Sequence, residues 1–117
     1  MVGIDLVEHI RLKDNYDRFG LRYLSSKELE IYNSFKLEQR KLEYVCSRLA
    51  SKEAIFKVFK VGDKTLDFKD IDILNDNSGV PYININGIRR DDLEISISHT
   101  LNYSIAIVLN KLCWYLL

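Results

Sequence analysis

LEQRKLEYVCSRLASKEAIFKVF, residues 37–59, is the stretch of sequence that decides the fold. It contains neither glycine nor proline, and its apolar residues recur at helical spacing, which predicts one long helix. Five residues mark the apolar face of that helix: Leu42, Val45, Cys46, Leu49 and Phe56.

The segments before this helix predict a strand and two shorter helices. Alternation of apolar residues over residues 2–7 is typical of a short strand. Residues 8–19 carry charged residues between apolar ones and stop before Gly20, which predicts a helix with a glycine C-cap. SSKE (25–28) has the spacing of a capping box and predicts a helix that continues to about Phe35.

After the long helix the apolar period changes to two, which predicts strands. Turn-forming segments separate them, and no linker or internal repeat interrupts the chain. A strand, then helices, then a run of strands predicts an α+β fold with a largely antiparallel sheet, with residues 1–117 as a single small domain. The predicted strands are 66–74 (with a bulge or kink near Lys69), 81–85, 93–99 and 103–110.

The composition is that of a globular chain with balanced charge. The chain has 117 residues, of which 47% are hydrophobic, and 17 Lys and Arg against 17 Asp and Glu. A net charge of zero argues against a protein that coats nucleic acid or an anionic membrane. Residues 36–60 nevertheless hold 7 Lys and Arg and only 3 Asp and Glu. Because a domain of this size buries only roughly two-thirds of the surface of its unfolded chain, a self-associating subunit is one option.

Cysteine use and hydropathy predict a cytoplasmic protein. Cys46 and Cys113 are far apart and form no paired motif, so neither a disulfide framework nor a cysteine metal cluster is expected. The sequence begins without a basic segment followed by an apolar run, which argues against a signal peptide. The longest apolar run, residues 112–117, is far too short to span a bilayer.

Two carboxylates interrupt apolar patterns and are candidate functional groups. Glu53 lies inside the apolar face of the long helix, where it must be ion-paired, metal-bound or protonated. The simpler alternative is a surface ion pair with Lys57. Asp5 interrupts the first predicted strand, and its simpler alternative is a strand-end residue that faces water. Together they would suit a magnesium ion, which proteins hold through one or two carboxylates, with waters and substrate phosphate as the other ligands.

His99 is a third candidate because it ends a predicted strand, next to Thr100. Strand ends are where binding and catalytic groups accumulate, although a lone histidine is more often structural. Both interpretations stay open. The common Walker, Rossmann, GxSxG and HExxH signatures are absent from the sequence, so no familiar nucleotide-binding loop or hydrolase site is indicated.

Basic residues form ridges on two predicted helices. Lys41, Arg48 and Lys52 are separated by 7 and 4 residues on the long helix, and Arg11 and Arg18 are 7 residues apart on the first helix. Such ridges are usually solvated faces. The alternative is a contact surface for a polyanion, either the phosphates of a nucleotide or an acidic protein.

Four segments resemble the holo-[acyl-carrier-protein] synthases, the short, single-unit class of 4′-phosphopantetheinyl transferases. They occur in the family's order and carry its G-x-D, R-x-x-x-K-E-A and S-x-S-H motifs. NDNSGVPY (75–82) is similar to the family's N-D-x-x-G-K-P-Y hairpin, with Val80 in place of the usual lysine. The four segments are GIDLVEHIR (3–11), RFGLRYLSSKELEIY (18–32), RKLEYVCSRLASKEAIFKVF (40–59) and ISISHT (95–100).

The resemblance implies an enzyme that moves the phosphopantetheine arm of coenzyme A onto a serine of apo acyl carrier protein and releases adenosine 3′,5′-bisphosphate. The family uses magnesium, acts in fatty-acid synthesis in the cytoplasm and is typically a homotrimer with active sites at the subunit interfaces. The implied partners are coenzyme A, an acyl carrier protein and further copies of this chain.

The resemblance also assigns roles to the candidate residues. Asp5 and Glu53 match the magnesium ligands, and Arg11 and Arg18 fall on the helix that receives the acidic carrier protein. The base that takes the serine proton stays open between His99 and a water polarised by Glu53 or the metal. The positions matched around coenzyme A are Arg48, Lys52, Lys57, His99 and Thr100. The expected catalytic residues are Glu53, Lys57 and His99.

Besides Val80, the chain departs from the family pattern in three places. The family's glycine-rich loop is here KVGDKT (60–65), which holds a single glycine and is expected to approach a ligand less closely. Thr100 stands where some relatives carry aspartate, so no metal ligand is expected there. LCWYLL (112–117) has no family counterpart and is expected to pack on the sheet or on a neighbouring subunit.

Two other classes of function compete with the enzyme. One is a non-catalytic module that binds coenzyme A or carrier protein, and the other is a structural oligomer. Retention of both Asp5 and Glu53 favours the enzyme.

Overall fold

The structure is a computed structural model that describes residues 1–59 and 66–111. The glycine-poor loop (60–65) and the C-terminal segment (112–117), with the predictions made for them, lie outside the described residues. Within the described part, no helix has the length and apolar character needed to cross a membrane. The elements in chain order are β1 (Val2–Glu8), a first 3₁₀ turn (His9–Arg11), α1 (Tyr16–Tyr23), α2 (Ser26–Ser34), α3 (Glu38–Phe59), a second 3₁₀ turn (Phe68–Asp70), β2 (Ile71–Asn75), β3 (Pro81–Ile85), β4 (Ile88–Arg89), β5 (Leu93–His99) and β6 (Tyr103–Asn110).

The described strands form two antiparallel sheets of three strands each. Sheet 1 has the strand order β1–β6–β5, and sheet 2 has the order β2–β3–β4. The predicted α+β fold is confirmed, and β3, β5 and β6 have the predicted bounds. The strands predicted after the long helix divide between the two sheets, and β1 from the N-terminus pairs with β6 to complete sheet 1.

α3 lies at the centre of the core, and the prediction of one long helix is confirmed to within one residue. It contacts all three strands of sheet 1, the other two helices and β2 of sheet 2. Because neighbours surround it, its burial extends beyond the predicted apolar face to Ala50, Ala54, Ile55 and Val58. Of the predicted face, Leu42, Val45 and Cys46 are buried, while Leu49 and Phe56 are partly buried.

The helix predicted over residues 8–19 is wrong for most of that range. β1 includes its first residue, the first 3₁₀ turn follows, and α1 begins only near its end. The cause is a set of long-range hydrogen bonds made by His9. Its backbone N–H donates to the carbonyl oxygen of Asn102 (2.9 Å), and its ring bonds the carbonyl oxygen of Leu101 (3.0 Å) and the hydroxyl of Ser104 (2.7 Å). These bonds extend the pairing between β1 and β6 and override the local helical pattern.

Gly20 lies inside α1 and is not its C-cap, which corrects a second prediction. Its φ angle is not in the left-handed region that a glycine C-cap adopts. It is buried, and a Cβ atom at this position would lie 3.5 Å from Leu24 and 3.6 Å from Val45 of α3. The small residue therefore sits where α1 packs on α3.

The bulge predicted near Lys69 is the second 3₁₀ turn, after which β2 begins. Asp67 and Asp70 stabilise that turn by reciprocal bonds. Asp67 Oδ1 accepts from the N–H of Phe68 (2.7 Å), and Asp70 Oδ2 accepts from the N–H of Asp67 (2.9 Å). Side chains that bond the nearby backbone in this way favour a turn over a continuous strand.

A buried ion pair joins α2 to α3. The capping box predicted at Ser25 and Glu28 is present: Ser25 Oγ accepts from the Glu28 N–H (3.3 Å), and Glu28 Oε1 accepts from the Ser25 N–H (2.9 Å). The same carboxylate accepts from Lys52 Nζ (2.5 Å) and from the N–H of Ile73 on the free edge of β2 (2.9 Å). Both charged side chains are fully buried. One cluster of polar groups therefore fixes two helices to sheet 2.

Gly3 allows β1 to lie directly against α3. A Cβ atom at this position would stand 2.0 Å from the carbonyl oxygen of Ala54 and 3.0 Å from a methyl group of Val58. Because strand residues alternate between faces, Asp5 lies on the same side of β1 as Gly3 and faces α3.

We expect Gly3→Ala to destabilise the protein because the new methyl group overlaps a helix carbonyl that cannot move independently of α3. The expected loss in the free energy of unfolding is about 1–3 kcal/mol, measured by urea denaturation. Gly20→Ala is the matched control. Its methyl group meets ordinary contacts, and alanine favours a helix interior, so its stability should be unchanged or higher. Equal stability of Gly3→Ala and the wild type would contradict the proposed reason for this glycine.

Candidate functional site

β1 and α3 bring two carboxylates and one ammonium group together. Asp5 faces α3 because it follows Gly3 by two residues on the same side of the strand. Lys57 Nζ donates to Asp5 Oδ1 (3.0 Å) and to the carbonyl oxygen of Ile4 (2.9 Å). Glu53 lies one turn before Lys57 on α3, close enough to Asp5 for the charge of Asp5 to act on its carboxyl group. We call Asp5, Glu53 and Lys57 the carboxylate cluster.

The electrostatics of the carboxylate cluster favour a bound cation. Burial raises the pKa of Glu53, the negative charge of Asp5 raises it further, and Lys57 acts in the opposite direction. The side chain of Lys57 is 54% exposed and that of Asp5 is 20% exposed, so their ion pair contributes at most about 1 kcal/mol. Asp5 can therefore exchange this partner for another cation at little cost.

The donor set fits a magnesium ion that takes its other ligands from outside the chain. In residues 1–59 and 66–111, no group of three or more His, Cys, Asp or Glu side chains is placed to hold a metal. Magnesium is usually bound through one or two carboxylates, with waters and substrate phosphates as the other ligands. Asp5 and Glu53 supply two such carboxylates, and a divalent cation would relieve their mutual repulsion.

A cleft of about 660 Å³ lies between α2, α3 and the strands β2, β3 and β5. More basic than acidic side chains line it, together with three aromatic rings, which suits an anion that carries a flat ring. None of the carboxylate cluster lines this cleft. The basic residues that line it are Lys27, Arg40, Arg48 and His99, and the acidic residues are Glu30 and Glu43. The aromatic residues are Phe35, Tyr44 and Tyr82.

Aromatic rings hold two arginines at the cleft. The guanidinium of Arg48 lies 4.2 Å from the centroid of the Tyr44 ring, and that of Arg40 lies 4.8 Å from the centroid of the Phe35 ring. The two rings meet edge to face, 5.3 Å apart. Arg48 Nε also donates to the carbonyl oxygen of Ile73 (3.3 Å). Among the described residues neither arginine forms an ion pair with a carboxylate, so both are available to an anionic ligand.

The position of Lys52 contradicts its predicted contact with the phosphates of coenzyme A. Its ammonium donates to Glu28 (2.5 Å) and to the carbonyl oxygens of Tyr23 and Phe68 (2.9 Å each). These bonds use all three of its protons, and the side chain is fully buried. Lys52 is therefore a structural residue, and its basic character is used inside the protein.

Three other predicted residues lie outside both the cluster and the cleft. Thr100 Oγ1 accepts from the N–H groups of Asn102 (3.2 Å) and Tyr103 (3.1 Å), which closes the turn between β5 and β6. Arg11 and Arg18 do not share a helix, because Arg11 ends the first 3₁₀ turn while Arg18 lies on α1. Both arginines are exposed. The predicted ridge on a single first helix is therefore wrong.

Sequence reasoning missed most of the cleft. Arg40, Tyr44 and Arg48 are each four residues apart, which places them on one face of α3 and could have identified this wall. The predicted ridge instead joined Arg48 to Lys41 and Lys52, which have a similar helical spacing. Lys27 near the start of α2 carries no sequence signal, since it reaches the cleft only through the packing of α2 on α3.

Comparisons with known proteins agree with this fold. A family model described as 4′-phosphopantetheinyl transferase superfamily matches residues 1–108. A holo-[acyl-carrier-protein] synthase of Acholeplasma laidlawii is 44% identical over 108 residues, which covers 92% of each chain. One from onion yellows phytoplasma is 38% identical over 117 residues, covering 94% of this chain and 92% of the relative.

This chain is similar to the solved structure of a holo-(acyl-carrier-protein) synthase from Bacillus anthracis in complex with CoA (3′,5′-ADP). The TM-score is 0.80 and the sequence identity is 32%. The match covers 92% of this chain and 91% of that one. The Helicobacter pylori holo-[acyl-carrier-protein] synthase in complex with coenzyme A gives a TM-score of 0.73 and 29% identity, covering 93% and 98%. On the family model and these relatives together, the chain belongs to the 4′-phosphopantetheinyl transferase superfamily and is similar to its holo-[acyl-carrier-protein] synthases.

Proposed function

We propose that this protein transfers the 4′-phosphopantetheine group of coenzyme A to a serine of an apo acyl carrier protein, in fatty-acid biosynthesis in the cytoplasm. The observation that carries the proposal is the carboxylate cluster, in which Asp5 from β1 meets Glu53 and Lys57 from α3. The names of the relatives and the coenzyme A bound in two similar structures support the substrate assignment. The basic and aromatic cleft supports nucleotide binding by this chain.

In the proposed reaction the serine oxygen attacks the phosphorus that bears the pantetheine arm. A new P–O bond forms to serine, the P–O bond to the second phosphate breaks, and adenosine 3′,5′-bisphosphate leaves. The serine proton passes to a base, for which His99 and a water held by Glu53 are the two candidates. Most of the catalysis consists of positioning the reactants and neutralising charge.

Each site residue has a physical role in that reaction. Asp5 and Glu53 would hold Mg²⁺, which supplies charge neutralisation at the diphosphate when bound. The Lys57 ammonium, half exposed beside Asp5, is free to turn toward a diphosphate oxygen. Arg48 and His99 would bind a phosphate of the nucleotide in the cleft.

We expect Glu53→Gln to reduce transfer on the order of a hundredfold or more, because one of two ligand charges is lost. The measurement is intact-protein mass after incubation with coenzyme A, Mg²⁺ and an apo carrier protein, where transfer adds one phosphopantetheine. The fold should persist, because the glutamine removes a partly buried charge that Asp5 opposes. Glu38→Gln, on the exposed first turn of α3, is the control and should transfer normally. Full magnesium-dependent activity in Glu53→Gln would contradict the proposed metal site.

The carrier protein is proposed to dock on the exposed surface formed by Arg11 and α1. Arg11 and Arg18 are exposed there, and the same helix adds Arg22 and the apolar side chain of Leu21, which is 66% exposed. Positive charge around an exposed apolar residue suits an acidic partner, since the charges steer the encounter and the apolar contact is buried on binding.

We expect Arg18→Glu to weaken carrier-protein binding roughly tenfold at low ionic strength while leaving coenzyme A binding unchanged. Affinity for the carrier protein would be measured by titration calorimetry at two salt concentrations. Lys111→Glu makes the same charge change beyond β6 and should leave both affinities unaltered. Unchanged carrier affinity in Arg18→Glu at low salt would remove α1 from the docking surface.

We further propose that the chain forms a homotrimer through sheet 1, with its active sites between subunits. One face of this sheet packs on α3, but the opposite face exposes a row of apolar side chains, a pattern typical of an interface. The cleft and the carboxylate cluster share no residue within one chain, which supports a site completed by a second copy. The exposed apolar residues are Val2, Ile4, Leu6, Ile105 and Ile107.

We expect Ile4→Glu to convert the assembly to monomers, because the charge would be buried in the proposed interface. Sedimentation equilibrium would then give the mass of one chain, 13.7 kDa, and transfer activity would fall. Ile88→Glu places the same substitution on exposed β4 and should leave the mass unchanged. A wild-type protein that sediments as a monomer while transferring normally would exclude the trimer.

A further inference from the structure

One buried hydroxyl in the wall of the cleft has no hydrogen-bond partner. Tyr44 lines the cleft and is only 8% exposed. Among the described residues its hydroxyl is the one buried side-chain polar atom that makes no hydrogen bond. Buried polar groups are nearly always paired, because an unpaired one retains its full cost of desolvation. Within residues 1–59 and 66–111, the Tyr44 hydroxyl therefore has no acceptor for its proton.

The surroundings fix the position of this side chain. Its ring packs edge to face against Phe35 (5.3 Å) and carries the Arg48 guanidinium on its face (4.2 Å). Arg40 covers Phe35 in the same way (4.8 Å). Arg48 lies on the face of the Tyr44 ring and acts electrostatically on its phenol, so an anion bound to Arg48 would lie beside this residue.

The hydroxyl can only act as a donor to such a ligand. Arginine carries no acceptor, so Arg48 cannot take the hydroxyl proton. Burial raises the pKa of Tyr44 to about 12, although the charge of Arg48 and the approach of its guanidinium, as a donor, to the phenol oxygen oppose the rise. The phenol therefore keeps its proton at neutral pH.

We infer that Tyr44 is a nucleotide-binding residue whose hydroxyl donates a hydrogen bond to a phosphate oxygen held by Arg48. The inference rests on the proposed function, since it assigns a further residue to the proposed nucleotide site. Among the described residues no group accepts the proton of this hydroxyl, and the hydroxyl gains an acceptor when the nucleotide binds. Tyr44 thus lowers the stability of the free protein slightly and raises its affinity for the ligand.

Tyr44→Phe tests this role because it removes only the oxygen and keeps the packing against Phe35 and Arg48. Calorimetric titration with adenosine 3′,5′-bisphosphate and with coenzyme A should show a dissociation constant raised about tenfold or more, as expected for a bond to a charged acceptor. KM for coenzyme A should rise while kcat at saturation stays unchanged, because the hydroxyl does not touch the reacting atoms. The melting temperature of the ligand-free variant should be equal to or above that of the wild type.

Tyr32→Phe is the matched control. The Tyr32 hydroxyl donates to Asp17 and the residue does not line the cleft. This variant should lower the melting temperature and leave both dissociation constants unchanged, which is the opposite pattern.

Two results would overturn the inference. A dissociation constant of Tyr44→Phe within about twofold of the wild type would show that the hydroxyl makes no bond to the ligand. A melting temperature lowered as in Tyr32→Phe would show that the hydroxyl has a partner within the protein. If the wild type neither bound coenzyme A nor transferred its arm, the proposed function would fail together with this inference. Normal transfer by the wild type with unaltered binding by Tyr44→Phe would reject the inference alone.

Discussion

The buried ion pair between Glu28 and Lys52 is the interaction on which the rest of the structure depends. Lys52 in the middle of α3 bonds Glu28 and the carbonyl oxygens of Tyr23 and Phe68, while Glu28 bonds the N–H of Ile73. The pair thus joins the end of α1, the start of α2, the second 3₁₀ turn and the edge of β2. Burying two charges is tolerated because every proton of the ammonium has an acceptor. Loss of either partner would leave an unpaired buried charge, at a cost of about 3–5 kcal/mol.

This network also positions the groups that are proposed to act on substrate. Ile73 has both backbone groups on the free edge of β2, where its N–H donates to Glu28 and its carbonyl accepts from Arg48. Ile73 therefore bonds both Arg48, which faces the cleft, and Glu28, the buried structural carboxylate. Glu53 follows Lys52 directly, and successive helix residues point about 100° apart. Once Lys52 is fixed toward α2, Glu53 is turned away from it and toward β1, where Asp5 lies.

The sequence predicted the features that depend on local pattern and missed those that depend on distant partners. α3 and the Ser25 capping box follow from residues close together in the chain, and both were predicted correctly. The helix over residues 8–19 was predicted wrongly, because His9 bonds Leu101 in the turn between β5 and β6 and Ser104 of β6, both about ninety residues away. Asp5 stood out because it interrupts the alternating apolar residues of β1. Glu53 stood out because it lies among the helically spaced apolar residues of α3. Only the resemblance to a family supplied the expectation that they meet.

The basic residues of α3 show most clearly that a sequence pattern does not reveal partners that are distant in the chain. Lys52 and Arg48 are one turn apart on α3, and the resemblance to the family assigned both to the phosphates of coenzyme A. Nothing near Lys52 in the chain reveals that Glu28, 24 residues earlier, reaches its ammonium. A charge pattern identifies which helix face is basic, but the partner of each charge is decided by tertiary packing.

The placement of the proposed site residues along α3 gives a physical reason for the proposed assembly. Arg48 and Glu53 are five residues apart, which separates them by about 7.5 Å along the helix axis and about 140° around it. Arg48 faces the cleft beside sheet 2, whereas Glu53 faces β1 of sheet 1. A nucleotide that fills the cleft therefore lies on a different side of α3 from the carboxylates of the same chain. In the proposed trimer, the carboxylate cluster of a second copy would meet that nucleotide. The apolar face of sheet 1, which the described residues leave exposed, would provide the contact that holds such a copy.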